Sequence, residues 1–395
     1  MGDDESVTGT EPQKPQQRGA EPRTPGQFGA VDSLDWMGRA QRRSRRSLVV
    51  AGLACVLLLA AVIPSPFTIE RPGPVVNTLG EVRIEGEAQP VISLPGSETF
   101  PTTGELNLLT VSLVGSPDHP ASWLSLVPAL IDPSQRIAPR AEFFPAGSTV
   151  EDREAQGTAQ MQSSQAQAAA AAFRELGREV PEELTVAAIS EDGPAVDVLR
   201  EGDVLTRAGG KAIADFADLR EAIITAGAEN ELTLSIVRDG TEQDVTLQPQ
   251  IPEGGTDPLI GAVIATSYEL PAEVDISLSE IGGPSAGMIF ALGIYDQLTP
   301  GAMLDGAAVS GTGTVAGTGE VGPIGGLEQK MWAAERADSD LFLMPVANCA
   351  DLPSRLPSGL QVAPVATLSE ARTAIEKVVA GETVPGVERC PTPAE

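Results

Sequence analysis

The sequence predicts an α+β protein held behind one transmembrane helix, and three features carry that expectation. Residues 47–67 form an uncharged, largely apolar run. Residues 182–252 alternate apolar and polar side chains in strand fashion, with turn residues at short intervals. A Gly/Pro/Ser turn at residues 282–287 stands between a strand-like stretch and an apolar one that can be helical.

Residues 1–46 are rich in Gly, Pro, Gln and charge and lack apolar periodicity, the composition of a disordered segment. They end in Arg42, Arg43, Arg45 and Arg46. The uncharged run behind them, at ~1.5 Å per helical residue, measures roughly 25–31 Å, close to one hydrocarbon thickness. The Arg cluster places its own side in the cytoplasm and everything after Phe67 outside. A cleaved signal peptide would have a shorter apolar run and a small-x-small site, and no clean one follows Ala61. Cys55 sits within the apolar run and reads as a buried small hydrophobe, not a lipid-modified cysteine.

Charge divides along the same boundary. The net charge is −29, and residues 1–46 hold eight basic and seven acidic side chains, so the remainder stands at −30. An acidic external part argues against nucleic acid and anionic lipid as partners, and equally fits a solubility or salt-tolerance trait. The chain uses 22 Arg against four Lys, which with abundant Ala, Gly and Pro points to a GC-rich bacterial genome. No His or acidic cluster has zinc-ligand spacing, so neither a metal nor a cofactor is expected. Cys349 and Cys390 lie outside the apolar run and form a disulfide candidate closing a loop of about 40 residues.

After the stiff turn Arg71-Pro72-Gly73-Pro74, residues 82–113 alternate, notably at Leu106, Leu108 and 110–113. Residues 115–150 carry many Pro and Gly, and their pattern assigns no elements. Residues 158–176 are strong helix formers without breakers, stopped at Gly177. A separate module follows: a strand at 184–189, a turn at Asp192-Gly193-Pro194, a strand near 201–205, and a helix from a cap at Asp215 to Ala226. Leu232, Leu234 and Ile236 alternate before Asp239-Gly240, and Val245 and Leu247 after it, which reads as a hairpin. This order, with the run GPAVDVLREGDVLTRAGGKAI, resembles a PDZ domain of the bacterial type. The resemblance implies that the strand bearing Leu184, Val186 and Ala188 borders a groove where an extended peptide adds as a strand. The alternative is a β-module that only packs against its neighbour.

The stretch richest in chemistry runs from Leu259 to Val346. Gly282-Gly283-Pro284-Ser285-Ala286-Gly287 precedes Met288-Ile289-Phe290-Ala291-Leu292, so Ser285 sits at a strand-to-helix turn where backbone N–H groups can hold an oxyanion. A second segment follows, from Thr312-Gly313-Thr314 through Gly319-Glu320 to Pro323-Ile324-Gly325-Gly326-Leu327-Glu328-Gln329-Lys330. Together the two resemble the proteolytic domain of the Lon family. The resemblance implies Ser285 as nucleophile, Lys330 as its base and Thr312 as support for the lysine, with Ser310 a nearby rival for that support. The backbone N–H groups of Ser285 and Ala286 would hold the oxyanion. Cytosolic members often carry an acidic residue where this chain has Gly282, so an acidic group at the site mouth is in doubt. The chemistry is sound on its own terms: a lysine stripped of water loses its proton more easily, whereas arginine stays charged. The lone histidine, His119, lies in a Pro-flanked loop and reads as a solvated residue.

These readings give residues 1–46 as a cytoplasmic segment, 47–67 as the transmembrane helix, 68–181 and 253–382 as two parts of a Lon-type domain, and 383–395 as a tail. The PDZ-like module at 182–252 is inserted between the two parts, with a simple serial order as the competing arrangement. No Gly-x-x-x-x-Gly-Lys-Ser/Thr phosphate loop occurs in the sequence. The expectation is an ATP-independent, membrane-anchored serine endopeptidase acting outside the cytoplasm on unfolded or exposed polypeptide segments, and the resemblance adds ring-like homo-oligomers. Two rivals stay open: an inactive membrane-tethered peptide-binding scaffold, and a Ser–Lys amidase acting on cell-wall peptides.

Overall fold

The computed structural model describes residues 33–390 except 85, 146, 148, 253, 279 and 280, with side chains from residue 47 onward. Helix α1 runs Ser33–Val62, so it starts inside the segment expected to be disordered. The last proline before it is Pro25, and residues 33–46 are mostly Leu, Met, Ala, Gln and Arg, which tolerate a helix well. Residues 1–32 of that segment, and residues 391–395 of the tail, lie outside the described residues. The helix stops short of the expected Phe67, because Pro64 and Pro66 lack the N–H a continuing helix needs. Between Ser47 and Val62 the side chains of α1 are exposed apart from half-buried Ala60, and Cys55 is free and exposed, contrary to the burial expected of it. Among the described residues no helix is long and apolar enough to cross a membrane.

The next elements are β1 (Phe67–Asn77), the hairpin β2 (Glu81–Ile84) and β3 (Glu87–Pro90), β4 (Ile92–Ser93) and β5 (Glu105–Val114). They lead to α2 (Leu126–Ala129), β6 (Arg136–Pro139), α3 (Arg140–Phe143) and the long α4 (Val150–Glu175). Helix α4 begins eight residues before its sequence pattern suggests, because a capping box starts it. The Thr149 hydroxyl accepts from the Asp152 N–H at 3.0 Å, and the Asp152 carboxylate accepts from the Thr149 N–H at 2.9 Å.

Then come β7 (Glu182–Ile189), β8 (Val204–Ala208), β9 (Lys211–Ala212), α5 (Phe216–Ala226), β10 (Leu232–Arg238), β11 (Thr241–Leu247) and β12 (Ala262–Tyr268). The chain continues through β13 (Asp275–Ile276), α6 (Gly287–Leu298), β14 (Ala308–Gly311), β15 (Thr314–Val315) and β16 (Val321–Gly322). It closes with α7 (Leu327–Arg336), β17 (Leu341–Pro345), β18 (Gln361–Val365) and α8 (Leu368–Val379).

Two larger sheets organise these elements. The first has the order β18-β17-β14-β5-β1-β6, parallel from β18 to β5 and antiparallel from β5 to β6. Its strands come from both sides of the second sheet in sequence, so one sheet and one core unite residues 67–139 with residues 308–365. That core centres on α6, which is buried along nearly its whole length. Ala168 to Ala172 of α4 lie against it, their small side chains letting the two helices approach closely.

The second sheet, β11-β10-β8-β7-β12, is antiparallel and encloses a separate core of Leu184, Val186, Leu205, Leu219, Leu234 and Ile236 among others. The Gly202-Asp203 turn has a structural purpose here. Burial alone would raise the Asp203 carboxyl, but the Arg238 guanidinium grips it at 2.7 and 2.6 Å and holds it below the usual carboxylate range. This pair ties the start of β8 to the end of β10.

Cys349 and Cys390 are joined, with their Cα atoms 5.4 Å apart. Cys349 lies in the 3-10 turn Val346–Asp351 beside α7. Asn348 of the same turn pins the approach to α7, accepting from the Ile324 N–H at 2.9 Å and donating to the Ile324 carbonyl at 2.8 Å. Replacing Cys390 by Ser is expected to cost about 3 kcal/mol of unfolding free energy. Denaturant titration under oxidising conditions checks this, and an unchanged midpoint would show that the bridge does not constrain the chain.

Candidate active site

Ser285 and Lys330 are 45 residues apart in sequence and meet in one cleft. Lys330 Nζ lies 3.0 Å from Ser285 Oγ and 3.1 Å from Thr312 Oγ1. Thr312 Oγ1 in turn donates to the Ser285 carbonyl at 3.1 Å. A neutral lysine amine suits this setting, donating one proton to Thr312 and accepting the Ser285 hydroxyl proton on its lone pair. Lys330 is only 3% exposed, and among the described residues no carboxylate forms an ion pair with it. Burial therefore lowers its pKa from 10.5 to about 8, opposed by the more distant Glu70 carboxylate.

Local structure explains how each group arrives. Lys330 stands one turn into α7, whose N-cap Gly326 is left-handed at φ 67°. A Cβ there would lie 2.6 Å from Val111 Cγ2 and 3.0 Å from Glu70 Oε1, so only glycine lets α7 seat against β5 and β1. Ser285 precedes α6 on a turn fastened from two directions. The Gly313 N–H donates to the Ser285 carbonyl at 2.9 Å, and Ser164 of α4 donates to the Pro284 carbonyl at 2.9 Å. The N–H groups of Ser285 and Ala286 have no hydrogen-bond partner among the described residues, which leaves them available to an oxyanion.

The cleft holds about 740 Å³ and is walled by Leu108 to Leu113 of β5 on one side and Ile281 to Ala286 on the other. Strand β14 pairs only with Glu105 to Leu108, so the following half of β5 presents its second edge to the cleft without a strand partner among the described residues.

Of the alternatives for supporting roles, Thr312 is at the lysine and Ser310 is not. Ser310, within β14, is fully buried with its Oγ 2.6 Å from Ser339 Oγ, whereas Thr312 lies just past the strand's end. His119 is exposed, its backbone N–H donating to Ser116 Oγ at 3.1 Å, and it does not line the cleft. Gly282 has a packing reason: a Cβ on it would lie 3.3 Å from Gly157 Cα of α4, so no acidic side chain fits without moving that helix. The acidic residue at the cleft is Glu70, which arrives from β1 and pairs with Arg136 at 2.8 Å. Neither Glu70 nor Ser164 carries a linear signal, since each acquires meaning only when distant strands and helices meet.

A second site needs correction. Leu184, Val186 and Ala188 belong to β7, which is interior, with β8 on one side and β12 on the other. Leu184 and Val186 point into the module's core. The sheet's open edge beside α5 is β12, a strand the sequence reading did not assign although AVIATSY alternates as a strand should. Between β12 and α5 runs a groove of about 460 Å³, lined by Phe216, Ile224, Leu259 and Val263, each of which is at least 48% exposed.

The electrostatic state of Lys330 can be measured directly. Its amine is expected to titrate near pH 8, and Glu70→Gln to move that midpoint lower, because the carboxylate favours the charged amine. The pH dependence of acylation at Lys330, followed by peptide mass spectrometry, checks both. A midpoint near 10.5 would mean that the amine is solvated.

Comparison with known proteins agrees with this division. Residues 150–248 match the family model described as a PDZ domain, and residues 280–377 match that of the Lon protease (S16) C-terminal proteolytic domain. The first match begins within α4 and ends before β12. Lon protease 1 of Herpetosiphon aurantiacus is 36% identical over 88 residues, 22% of this chain and 11% of that protein. A probable periplasmic serine protease do/HhoA-like of Haemophilus influenzae is 34% identical over 74 residues, 19% of this chain and 14% of that protein. The solved PDZ domain of an SdrC-like protein from Listeria monocytogenes aligns with 20% identity and a TM-score of 0.20, covering 21% of this chain and 86% of that one. This chain thus spans only about a tenth of the length of the curated relatives it matches. Its architecture is mixed α/β, and it carries a region matching PDZ domains followed by one matching the Lon proteolytic domain.

Proposed function

We propose that this chain is an ATP-independent serine endopeptidase, anchored in a membrane by residues 47–67 and acting outside the cytoplasm. The observation that carries the reading is the buried Lys330 amine 3.0 Å from the Ser285 hydroxyl. In the first half-reaction neutral Lys330 takes the hydroxyl proton as Ser285 Oγ attacks a peptide carbonyl. The oxyanion is received by the backbone N–H groups of Ser285 and Ala286. The Lys330 ammonium, held by Thr312, then returns the proton to the leaving amine. In the second half-reaction Lys330 deprotonates a water that cleaves the acyl ester and frees Ser285.

The free second edge of β5 beside Ser285 favours an extended substrate, whose backbone would pair there as an added strand. Selection falls to the groove between β12 and α5, with β12 as the strand to which a peptide segment adds. Three features support the location. The exposed apolar face of α1 follows an Arg cluster, the Cys349–Cys390 bridge suits an oxidising compartment, and the sequence carries no phosphate loop that would need ATP. The relative from Haemophilus influenzae is itself described as periplasmic.

On an unfolded protein substrate, Ser285→Ala and Lys330→Arg are each expected to lower turnover by about ten-thousand-fold or more, since one removes the nucleophile and the other substitutes a base that stays protonated. For the unaltered chain kcat/KM should rise with pH and level off above about 8, because below that value the amine carries a proton and cannot accept another. Equal cleavage by Ser285→Ala would remove the enzyme reading, and a wall-peptide substrate cleaved in preference would favour an amidase.

Val263→Glu together with Ile224→Glu is expected to reduce cleavage of protein substrates several-fold while leaving a short chromogenic peptide unaffected. Both side chains are exposed at the groove, so their replacement disturbs no core. Unchanged protein cleavage would show that the groove does not select substrates.

A further inference from the structure

The surface beside the end of α1 carries a second apolar feature that catalysis and peptide selection leave unused. Residues 120–131 contain no charged side chain. Within them Trp123 is 45% exposed, Leu124 39%, Val127 49%, Leu130 75% and Ile131 80%. Such a concentration of large apolar groups in one short segment is unusual for a surface in water. The segment is firmly held: Leu126 and Ala129, on the opposite face of α2, are buried with Ile69 and Ala121. Its exposed side chains are therefore presented by a fixed scaffold.

What covers this surface follows from where it is tied. The Leu124 N–H donates to the Ala60 carbonyl at 2.9 Å and the Trp123 N–H to the Ile63 carbonyl at 3.4 Å. The Ser65 N–H donates to the Ala121 carbonyl at 2.7 Å, and Pro64 bridges Ser122. Trp123 also stands edge-on to Phe67, with ring centroids 5.9 Å apart. The patch is thus continuous with the last residues of the apolar run, where Val62 and Ile63 are exposed as well. Its first flanking carboxylate, Asp132, is turned back onto the Ser134 N–H and hydroxyl and onto Gln135.

We propose that residues 121–131 form a collar that seats in the headgroup–acyl boundary of the bilayer beside the exit of α1, with Trp123 at the interface and Leu130 and Ile131 deepest. This rests on reading residues 47–67 as a membrane anchor. A strongly acidic chain gains nothing from anionic headgroups, so the collar binds through apolar insertion and needs only zwitterionic lipid.

The test uses the full chain in phosphatidylcholine vesicles, with Trp36→Phe and Trp332→Phe leaving Trp123 as the only indole. Lipids brominated near the headgroup end of their acyl chains should quench about half of its emission, as expected for an indole at the interface, while aqueous acrylamide quenches little. Quenching by acrylamide but not by brominated lipid would overturn the collar in favour of a solvent-facing loop. Protection from both would overturn it in favour of a second copy or another protein surface. Should the double variant fold poorly, a nitroxide on Ile131→Cys in a Cys55→Ser background keeps all tryptophans. Accessibility to oxygen over a water-soluble nickel complex supports the collar, and the reverse overturns it. An alkaline carbonate wash separates the two readings. Release of the chain sinks the anchor, whereas retention with an unquenched Trp123 sinks the collar alone.

Discussion

A lysine amine taken out of water and left without a carboxylate partner is costly to keep charged, and the catalytic half of this protein is built around that cost. Lys330 could reach a hydroxyl from many surfaces; only burial makes it able to accept the proton. Burial in turn needs α7 seated closely on β5 and β1, which the left-handed Gly326 permits and which Asn348 and the neighbouring disulfide secure from the other side. Thr312 supplies the hydrogen bond that replaces water, and by donating to the Ser285 carbonyl it also fixes the nucleophile's turn. Glu70 acts in the opposite sense, moderating how far the amine's proton affinity falls. The result is an amine whose pKa is lowered to about 8, with desolvation opposed by one more distant charge.

The two sheets meet at the end of one strand. Strand β12 forms the open edge of the second sheet and ends at Tyr268, whose ring lies so close to Gly317 that a Cβ there would sit 2.6 Å from it. Burial raises the Tyr268 phenol to about 12, so it stays neutral as it packs. Gly317 lies in the loop between β15 and β16, and Thr314 of β15 lines the cleft. A peptide seated on β12 would thus press on an element only a few residues from Thr312. At the same end of the sheet, Glu182 of β7, which faces Tyr268 across the strands, pairs with Arg174 of α4 at 2.7 Å, a second fixed joint between the two cores.

How much of this could be read beforehand follows from how local each cause is. A Gly/Pro/Ser turn before a helix and a glycine-led helix start are set by a few consecutive residues, so the resemblance to the Lon proteolytic motifs could single out Ser285 and Lys330 in the linear sequence, which neither turn alone would do. The Gly202-Asp203 turn is equally local, although its partner Arg238 is not. The resemblance implied that β7 borders a groove, whereas β7 is interior to its sheet, and β7 and β12 alternate alike. Which of two similar strands ends at an edge is decided by pairing across some eighty residues of chain, and no pattern within either strand encodes it. The same holds for Glu70, Ser164 and the close approach of Gly157 to Gly282. Each answers a constraint imposed by an element far away in sequence.

The chain from the proposed anchor to the cleft is short. Strand β1 starts at Phe67, just past the turn at Pro64 to Pro66, and Ser65 is buried. Glu70, which lines the cleft, follows Phe67 by three strand residues, about 10 Å of chain. If residues 121–131 seat in lipid as proposed, the turn at Pro64 to Pro66 and the start of β1 would lie close to the bilayer surface. An extended polypeptide would then be met close to the bilayer surface, where segments leaving the membrane or newly emerged from it lack tertiary structure. Such segments would pair with the edges of β5 and β12 left open among the described residues without unfolding work, which suits the proposed ATP-independent reaction.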